Sequence, residues 1–399
     1  MSDSPSLPRL DGVRVLVLFG AIPLHGQERG NIEVFRALAG LGLKARFITH
    51  RQWGHLAVQP ELDRLELKWT TAPFGPLMGK NLFGPDIFRS LYGMLRTNWV
   101  LWREVRGWRP THLHCMNWLY VLYATPLLFL LRIPMIYRLG DCPPQSTFLH
   151  RWLWRLICRR ANSVVCISEF IHSELRQSGG TPRSSQVIYN LPPHRPGHLA
   201  DASVQSPPGA MRLSYVGQIS AEKGVPVLVE AARRCLSTGR NLSMCLAGDY
   251  SWQNPMAEAL MAGIKAEGLE GRIQFLGYQE NVPALLRASS LHVCPSMCRE
   301  ALGNVVLEAK AQGIPSVVFP DGGLSELIEH QVDGFICRDK TVESLVEGIE
   351  WFLDHPEERK RAGEAARRSL QEKFGERRFQ RQWAEVFQST AGAREREEC

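Results

Sequence analysis

Residues 293–337 hold the stretch that most restricts what this chain can fold into. The apolar run LHVCPS stops at Pro295-Ser296, Gly303 opens a periodic segment of Val305, Val306, Ala309 and Ala311, and Gly313 precedes Pro315. That order predicts strand, loop, helix, strand. A helix beginning near Gly303 leaves its first backbone amides pointing into the loop, where they and the helix dipole favour a phosphate. Glu300 stands just before this helix and Glu308 lies inside it. At about 3.6 residues per turn the two are a little over two turns apart, so both carboxylates can serve one ligand. One suits the hydroxyls of a sugar, the other those of a ribose. In a chain this rich in Glu the spacing alone carries little.

The 399 residues suit two domains of ordinary size, each with its own core. The start, MSDSPSLPRLDG, has neither a basic nor an apolar leader region, which argues against a secretory signal. Ten cysteines are scattered, and only Cys294 and Cys298 approach a metal-binding spacing, without a second pair. Buried thiols in a reducing compartment and no structural zinc are the expectation. The apolar stretch 118–131 contains Pro126 and is followed by Arg132; it falls short of the ~20 residues a membrane span needs and predicts a core helix.

Net charge is +7, and much of the excess is local, in RWLWRLICRR at 151–160 and the arginines between 359 and 381. A basic helix bearing Trp152 and Trp154 fits either an anionic membrane surface or a solvated face with its indoles packed inward. No nucleic-acid reader motif accompanies these charges, so nucleic acid is not an expected partner.

Taken in order, VRVLVLF at 13–19 predicts a buried parallel strand, followed by the loop GAIPLHGQERG and a helix from about Asn31 to Leu41. Gly26 falls in that loop. A helix is expected over 85–106, and Pro110 then turns into a strand with His114 at its carboxyl end, where ligands gather in open α/β sheets. His114 fits a site role or a buried hydrogen-bonded one. Asp141 ends the strand IPMIYRLGD, suited to contacting a ligand or to capping the turn before Pro143-Pro144. Residues 191–210 are dense in Pro, Gly, Ser and Ala and predict the linker. The expected division is residues 1–195, a linker over 196–210, and a second domain over 211–375. There MRLSYVG ends at Gly217 and the loop QISAEKG holds Lys223, well placed to meet phosphate charge. Helices are expected near 341–354, 356–372 and 376–390.

The ordered set Pro295-Ser296, Glu300-Ala-Leu-Gly303-Asn304, Leu307-Glu308-Ala309, Gly313-x-Pro315, Gly322-Gly323-x-x-Glu326 and Asp333-Gly334-Phe335 resembles the donor-site pattern of the retaining glycosyltransferases of family 4. Asn281-Val-Pro283 and Ser168-Glu169 also match. The resemblance implies the GT-B fold, two Rossmann-like parallel-sheet α/β domains facing across a cleft, with the final helix (376–399) returning to the first. It implies a nucleotide-sugar donor, UDP- or GDP-linked, and a saccharide or lipid-linked acceptor, with no metal cofactor; no Asp-x-Asp occurs in the chain. Lys223, Glu300 and His114 would be catalytic. Gly217, Gln218, Lys223, Gly303, Asn304, Val305 and Glu308 would bind donor, with Glu308 on the ribose and Glu300 on the transferred sugar. Gly26 and Asp141 would face acceptor. The chain departs from the pattern at Gln218, where an arginine is usual, at Gly140 and Met116 in place of histidines, and at Leu-Pro-Pro after Asn190. A nucleotide-sugar 2-epimerase of the same shape, or a non-catalytic binding module, is the competing class. A cytoplasmic location, peripheral on the membrane face, is expected.

Overall fold

The computed structural model describes residues 6–20, 26–50, 58–74, 86–193, 206–249 and 254–397. The loop at 21–25, most of the variable stretch 69–84 and most of the expected linker lie outside the described residues. The chain forms two compact units, one of Met1–Asn190 with Glu376–Cys399, the other of Leu191–Gly375.

In the first unit, β1 (Arg14–Gly20), β2 (Lys44–Thr49), β3 (Lys68–Thr71), β4 (His112–Cys115), β5 (Met135–Leu139), β6 (Ser163–Cys166) and β7 (Ser185–Val187) build one sheet. Every pairing is parallel, in the order β3-β2-β1-β4-β5-β6-β7. The connecting helices are α1 (Gly26–Ala39), α2 (Gln59–Arg64), α3 (Asp86–Trp108), α4 (Trp118–Tyr123), α5 (Leu127–Leu130), α6 (Phe148–Arg160) and α7 (Glu169–Gln177). Strands buried on both faces read as continuous apolar runs, and Val15, Leu16, Val17 and Leu18 of β1 are fully buried.

Three local expectations are corrected here. The helix expected from Asn31 begins at Gly26. The stretch expected as one core helix over 118–131 divides into α4 and α5 at Pro126, because proline has no N–H to continue a helix. The two indoles of α6 part company: Trp154 is buried and donates from Nε1 to Ser178 Oγ at 2.8 Å, whereas Trp152 is exposed.

The second unit repeats the plan with β8 (Met211–Val216), α8 (Val225–Ser237), β9 (Leu242–Ala247), α9 (Pro255–Ala266), β10 (Ile273–Gly277), α10 (Val282–Arg287), β11 (Leu291–Cys294), α11 (Asn304–Ala311), β12 (Ser316–Val318), β13 (Gly334–Ile336), α12 (Val342–Asp354) and α13 (Pro356–Phe374). Its parallel sheet runs β10-β9-β8-β11-β12-β13. Strand order therefore reverses between β8 and β11, and the loops leaving the carboxyl ends of these two paired strands lie side by side. The last helix, α14 (Glu376–Glu397), belongs to the first unit, where Trp383 and Phe387 are buried and His112 Nε2 lies 3.1 Å from the Phe387 carbonyl.

Candidate active site

The reversal between β8 and β11 brings the loop holding Lys223 against the loop holding Glu300. Backbone amides of Met297 and Cys298 donate to the Glu222 carbonyl at 2.9 and 3.1 Å. Gly224 has φ +74°, and a Cβ there would sit 1.8 Å from the Pro295 carbonyl oxygen, so only glycine lets the loops meet this closely. Across that contact Lys223 Nζ lies 2.6 Å from Glu300 Oε1, and Ser296 Oγ donates to the same oxygen at 2.8 Å. Cys298 Sγ is 3.8 Å from the ammonium. Burial pulls the Lys223 ammonium down, but the Glu300 carboxylate outweighs it and the net shift is upward, so the lysine stays charged. With three N–H donors, it can keep Glu300 and still reach a phosphate oxygen.

Beyond Glu300 the chain turns at Gly303, φ +96°, into the amino end of α11. Gly303, Asn304 and Val305 are partly exposed there, while Glu308 is buried within the helix. Gly323 N donates to the Glu300 carbonyl at 2.8 Å, and a Cβ at Gly322 would sit 2.3 Å from the same oxygen, so the Gly322-Gly323 turn fixes the Glu300 backbone. Gly217 follows the last residue of β8, and Gln218 after it is exposed with its carbonyl accepting from Tyr215 Oη at 2.7 Å. One further cation went unnoticed in the sequence: Lys340 Nζ donates to the Met297 carbonyl at 2.9 Å and to Asp321 at 2.7 Å, holding the same loop from outside. Nothing at that distance along the chain signals it.

The back of α11 is anchored by a buried charge pair. Lys310 Nζ lies 2.5 Å from Asp333 Oδ2 and 2.9 Å from Ser369 Oγ, and Asp333 Oδ1 accepts from the Glu329 amide. Burial pushes the Lys310 ammonium down, with Asp333 opposing.

The first-unit candidates fare differently. His114 is not a surface group at a strand end: it is fully buried one residue before the end of β4, against Phe35 and Trp383, with Nε2 3.2 Å from Asn31 Oδ1. Burial depresses it to about 3, with Arg138 adding to the effect. Its neighbours are α1 and α14 of the same unit, so the catalytic expectation is corrected to a core role. Asp141 is exposed and its Oδ1 accepts from the Cys142 amide at 2.8 Å, the turn-capping alternative. Gly26 is the exposed first residue of α1. Next to it Gln27 reaches Met116 O at 3.3 Å, and its side chain lies 3.1 Å from where a Cβ of residue 140 would stand. The space a larger residue at 140 would use is thus filled by Gln27. Arg138, inside an apolar strand, is buried, donates to Asn190 Oδ1 and is drawn down to about 9 by burial against the pull of Glu28. A charge within the run IPMIYRLGD was the visible sign of it.

Two parallel α/β units, the second with an ammonium and a helix amino end at the point where strand order reverses, are the GT-B architecture of sugar transferases. The model of Glycosyltransferase Family 4 matches residues 24–191 and that of Glycosyl transferases group 1 matches residues 201–369. The chain belongs to the family-4 type of GT-B glycosyltransferases. It is 27% identical to an alpha-D-kanosaminyltransferase of Streptomyces kanamyceticus over 69% of this chain and 76% of that one. With the 2-deoxystreptamine glucosyltransferase of the same organism it shares 25% identity over 86% of this chain and 94% of the relative. Among solved structures, Anabaena HepE in complex with UDP and glucose superposes with a TM-score of 0.76 at 20% identity, covering 94% of this chain and 100% of that chain.

Proposed function

We propose that this glycosyltransferase moves a hexosyl group, with retention, from a UDP- or GDP-sugar to a saccharide or lipid-linked acceptor in cell-surface polysaccharide or glycolipid synthesis. The observation that carries the reading is Lys223 held 2.6 Å from Glu300 beside the amino end of α11. As the bond from the anomeric carbon to the diphosphate lengthens, positive charge grows on the sugar ring and negative charge on the leaving phosphate. Lys223 and the first-turn amides at Gly303, Asn304 and Val305 neutralise the latter. Glu300 accepts from hydroxyls of the transferred sugar and Glu308 from those of the ribose. Gly217 admits the donor to the edge of β8, and Gln218 offers a neutral hydrogen bond where a second cation is usual. Gly26 and Asp141 face the acceptor.

Retention runs by front-face attack. The acceptor hydroxyl bonds to the anomeric carbon on the side the diphosphate leaves, and its proton passes to the departing phosphate oxygen. Neither a protein nucleophile nor a metal cofactor enters. The UDP reading is supported by the UDP and glucose bound in HepE. Turnover takes place in the cytoplasm, at the membrane face. Incubating UDP- and GDP-sugars with candidate acceptors, and reading the anomeric coupling of the product, tests the proposal. Transfer with an unchanged anomer supports it; an inverted anomer, or isomerised nucleotide sugar without transfer, overturns it.

A further inference from the structure

The helix α3 turns two unlike faces outward and inward. Gly93, Thr97, Val100 and Leu101 are buried against the first unit. At helical spacing on the opposite side stand Phe88, Leu91, Tyr92, Leu95, Trp99 and Trp102, all exposed, with Phe88 75% and Leu95 72% accessible. From 88 to 102 this stripe runs about 21 Å along the helix. Aromatic and aliphatic side chains so far into solvent are unusual for a helix whose inner face is already satisfied.

The charges on α3 are mostly basic, Arg89, Arg96, Arg103 and Arg106 against Asp86 and Glu104. The guanidinium of Arg96 lies 5.0 Å from the Trp99 ring centre, Arg103 lies 5.2 Å from the same ring and Arg106 5.1 Å from the Trp102 ring. Between residues 86 and 160 the acids are Asp86, Glu104 and Asp141 alone, against many arginines. Glu104 is engaged by Arg46 and Arg103 at 3.2 and 3.1 Å. Asn98 ties α3 to the next exposed apolar group: its amide accepts from Leu127 N at 3.0 Å and donates to the carbonyls of Tyr123 and Thr125, which seats α5 and its exposed Leu130 beside α3.

Two copies joined by a twofold axis through this face would set arginines against arginines, with Glu104 already paired within its own chain and Asp86 left at the far end of the helix. A convex stripe of protruding rings also offers no groove for a peptide. Indoles capped by guanidinium groups suit the boundary between lipid headgroups and acyl chains, where the rings enter and the cations meet phosphate. No helix among the described residues is long and apolar enough to cross a membrane. We propose that the outward face of α3 is a docking surface for an anionic lipid bilayer, with Phe88, Leu95, Trp99 and Trp102 entering the headgroup boundary and Arg96 and Arg106 on lipid phosphates. This places the contact on a different helix from the basic 151–160 segment. It rests on the surface chemistry of α3 and not on the sugar-transfer reading, so it is measured without turnover.

The test is sedimentation of the full chain with vesicles of phosphatidylcholine alone or mixed with phosphatidylglycerol. Binding to the mixed vesicles, little to the neutral ones, and loss as salt shortens the Debye length below about 8 Å are expected. Leu95→Glu with Trp99→Glu lowers vesicle affinity at least about tenfold, since it removes apolar insertion and adds repulsion. A second variant, Arg96→Gln with Arg106→Gln, keeps the apolar stripe and loses the preference for phosphatidylglycerol. Absence of sedimentation overturns the proposal, as does equal binding by both variants with unchanged melting curves. A concentration-dependent dimer that Leu95→Glu dissolves would assign the face to a second copy and equally overturn it.

Discussion

Lys223 Nζ and Glu300 Oε1 meet at 2.6 Å although they are 77 residues apart, one leaving β8 and the other leaving β11. The contact exists because these two strands are neighbours at the reversal of strand order, which sends their loops to a common corner. Glu300 holds the lysine charged and aimed, and so its loss has an electrical as well as a geometric consequence. With Glu300→Gln, burial no longer has a carboxylate opposing it, and the Lys223 pKa falls. The pair's stabilising effect is full below the ordinary lysine value and is lost only as pH rises through the elevated one. The alkaline limb of the pH–rate profile is therefore expected at lower pH in Glu300→Gln than in the wild type. A limb that stays in place assigns that titration to another group.

At Gly224 the backbone is left-handed and the Pro295 carbonyl stands where a side chain would begin. Gly224→Ala must move one loop or the other. We expect the second unit to lose about 2 kcal/mol or more, and donor affinity to fall with it. Chemical denaturation with and without nucleotide measures both effects.

The Lys310–Asp333 pair sits almost wholly out of water, at 1% and 3% side-chain exposure. Lys310→Met leaves a buried carboxylate without its cation and is expected to cost about 3–5 kcal/mol. Adding Asp333→Asn recovers part of that loss, because the remaining groups are then neutral. Denaturant midpoints of the single and double variants decide whether the two residues are coupled.

Among the described residues, three histidines are buried and held neutral. His112 is lowered to about 4, by burial against a hydrogen bond that its ring donates to the Phe387 carbonyl, and His114 and His292 to about 3 by burial. Each folded value lies below the unfolded one near 6.5, so the stability each group contributes is intact above that pH. It is lost progressively as pH falls toward 3 or 4, by about 2 kcal/mol at pH 5 for a group near 3. His114→Gln is expected to reduce the slope of stability against pH in this window by about one proton. An unchanged slope would mean that His114 already carries its proton in the folded protein.

The second unit was legible because its pattern is short-range. Gly303 before the helix, Gly313 before Pro315 and the apolar runs each report a local backbone demand, and the elements form where those demands were read. Lys223 and Glu300 were both candidates, but nothing in their spacing states that they touch; that follows from strand order. His114 misled because a histidine near the end of a parallel strand looks the same whether a ligand or a neighbouring helix covers it. Here α1 and α14 do the covering, and α14 lies more than 260 residues further on. Trp152 and Trp154 show the reverse case: two residues apart on one helix, one faces out and one in, which helical periodicity does predict. The outward stripe of α3 was equally periodic, but an apolar face at helical spacing is read as core until a structure shows both sides.

The most direct test of the whole account is calorimetric titration of UDP and of GDP into the wild type and into Lys223→Met. One of the two nucleotides is expected to bind the wild type, and the variant to bind it at least about tenfold more weakly, a loss of about 1.4 kcal/mol or more, while the variant, without the Lys223–Glu300 pair, still unfolds in one cooperative transition at a somewhat lower temperature. Equal affinity in the two proteins would contradict the assignment of the diphosphate to this corner of the second unit.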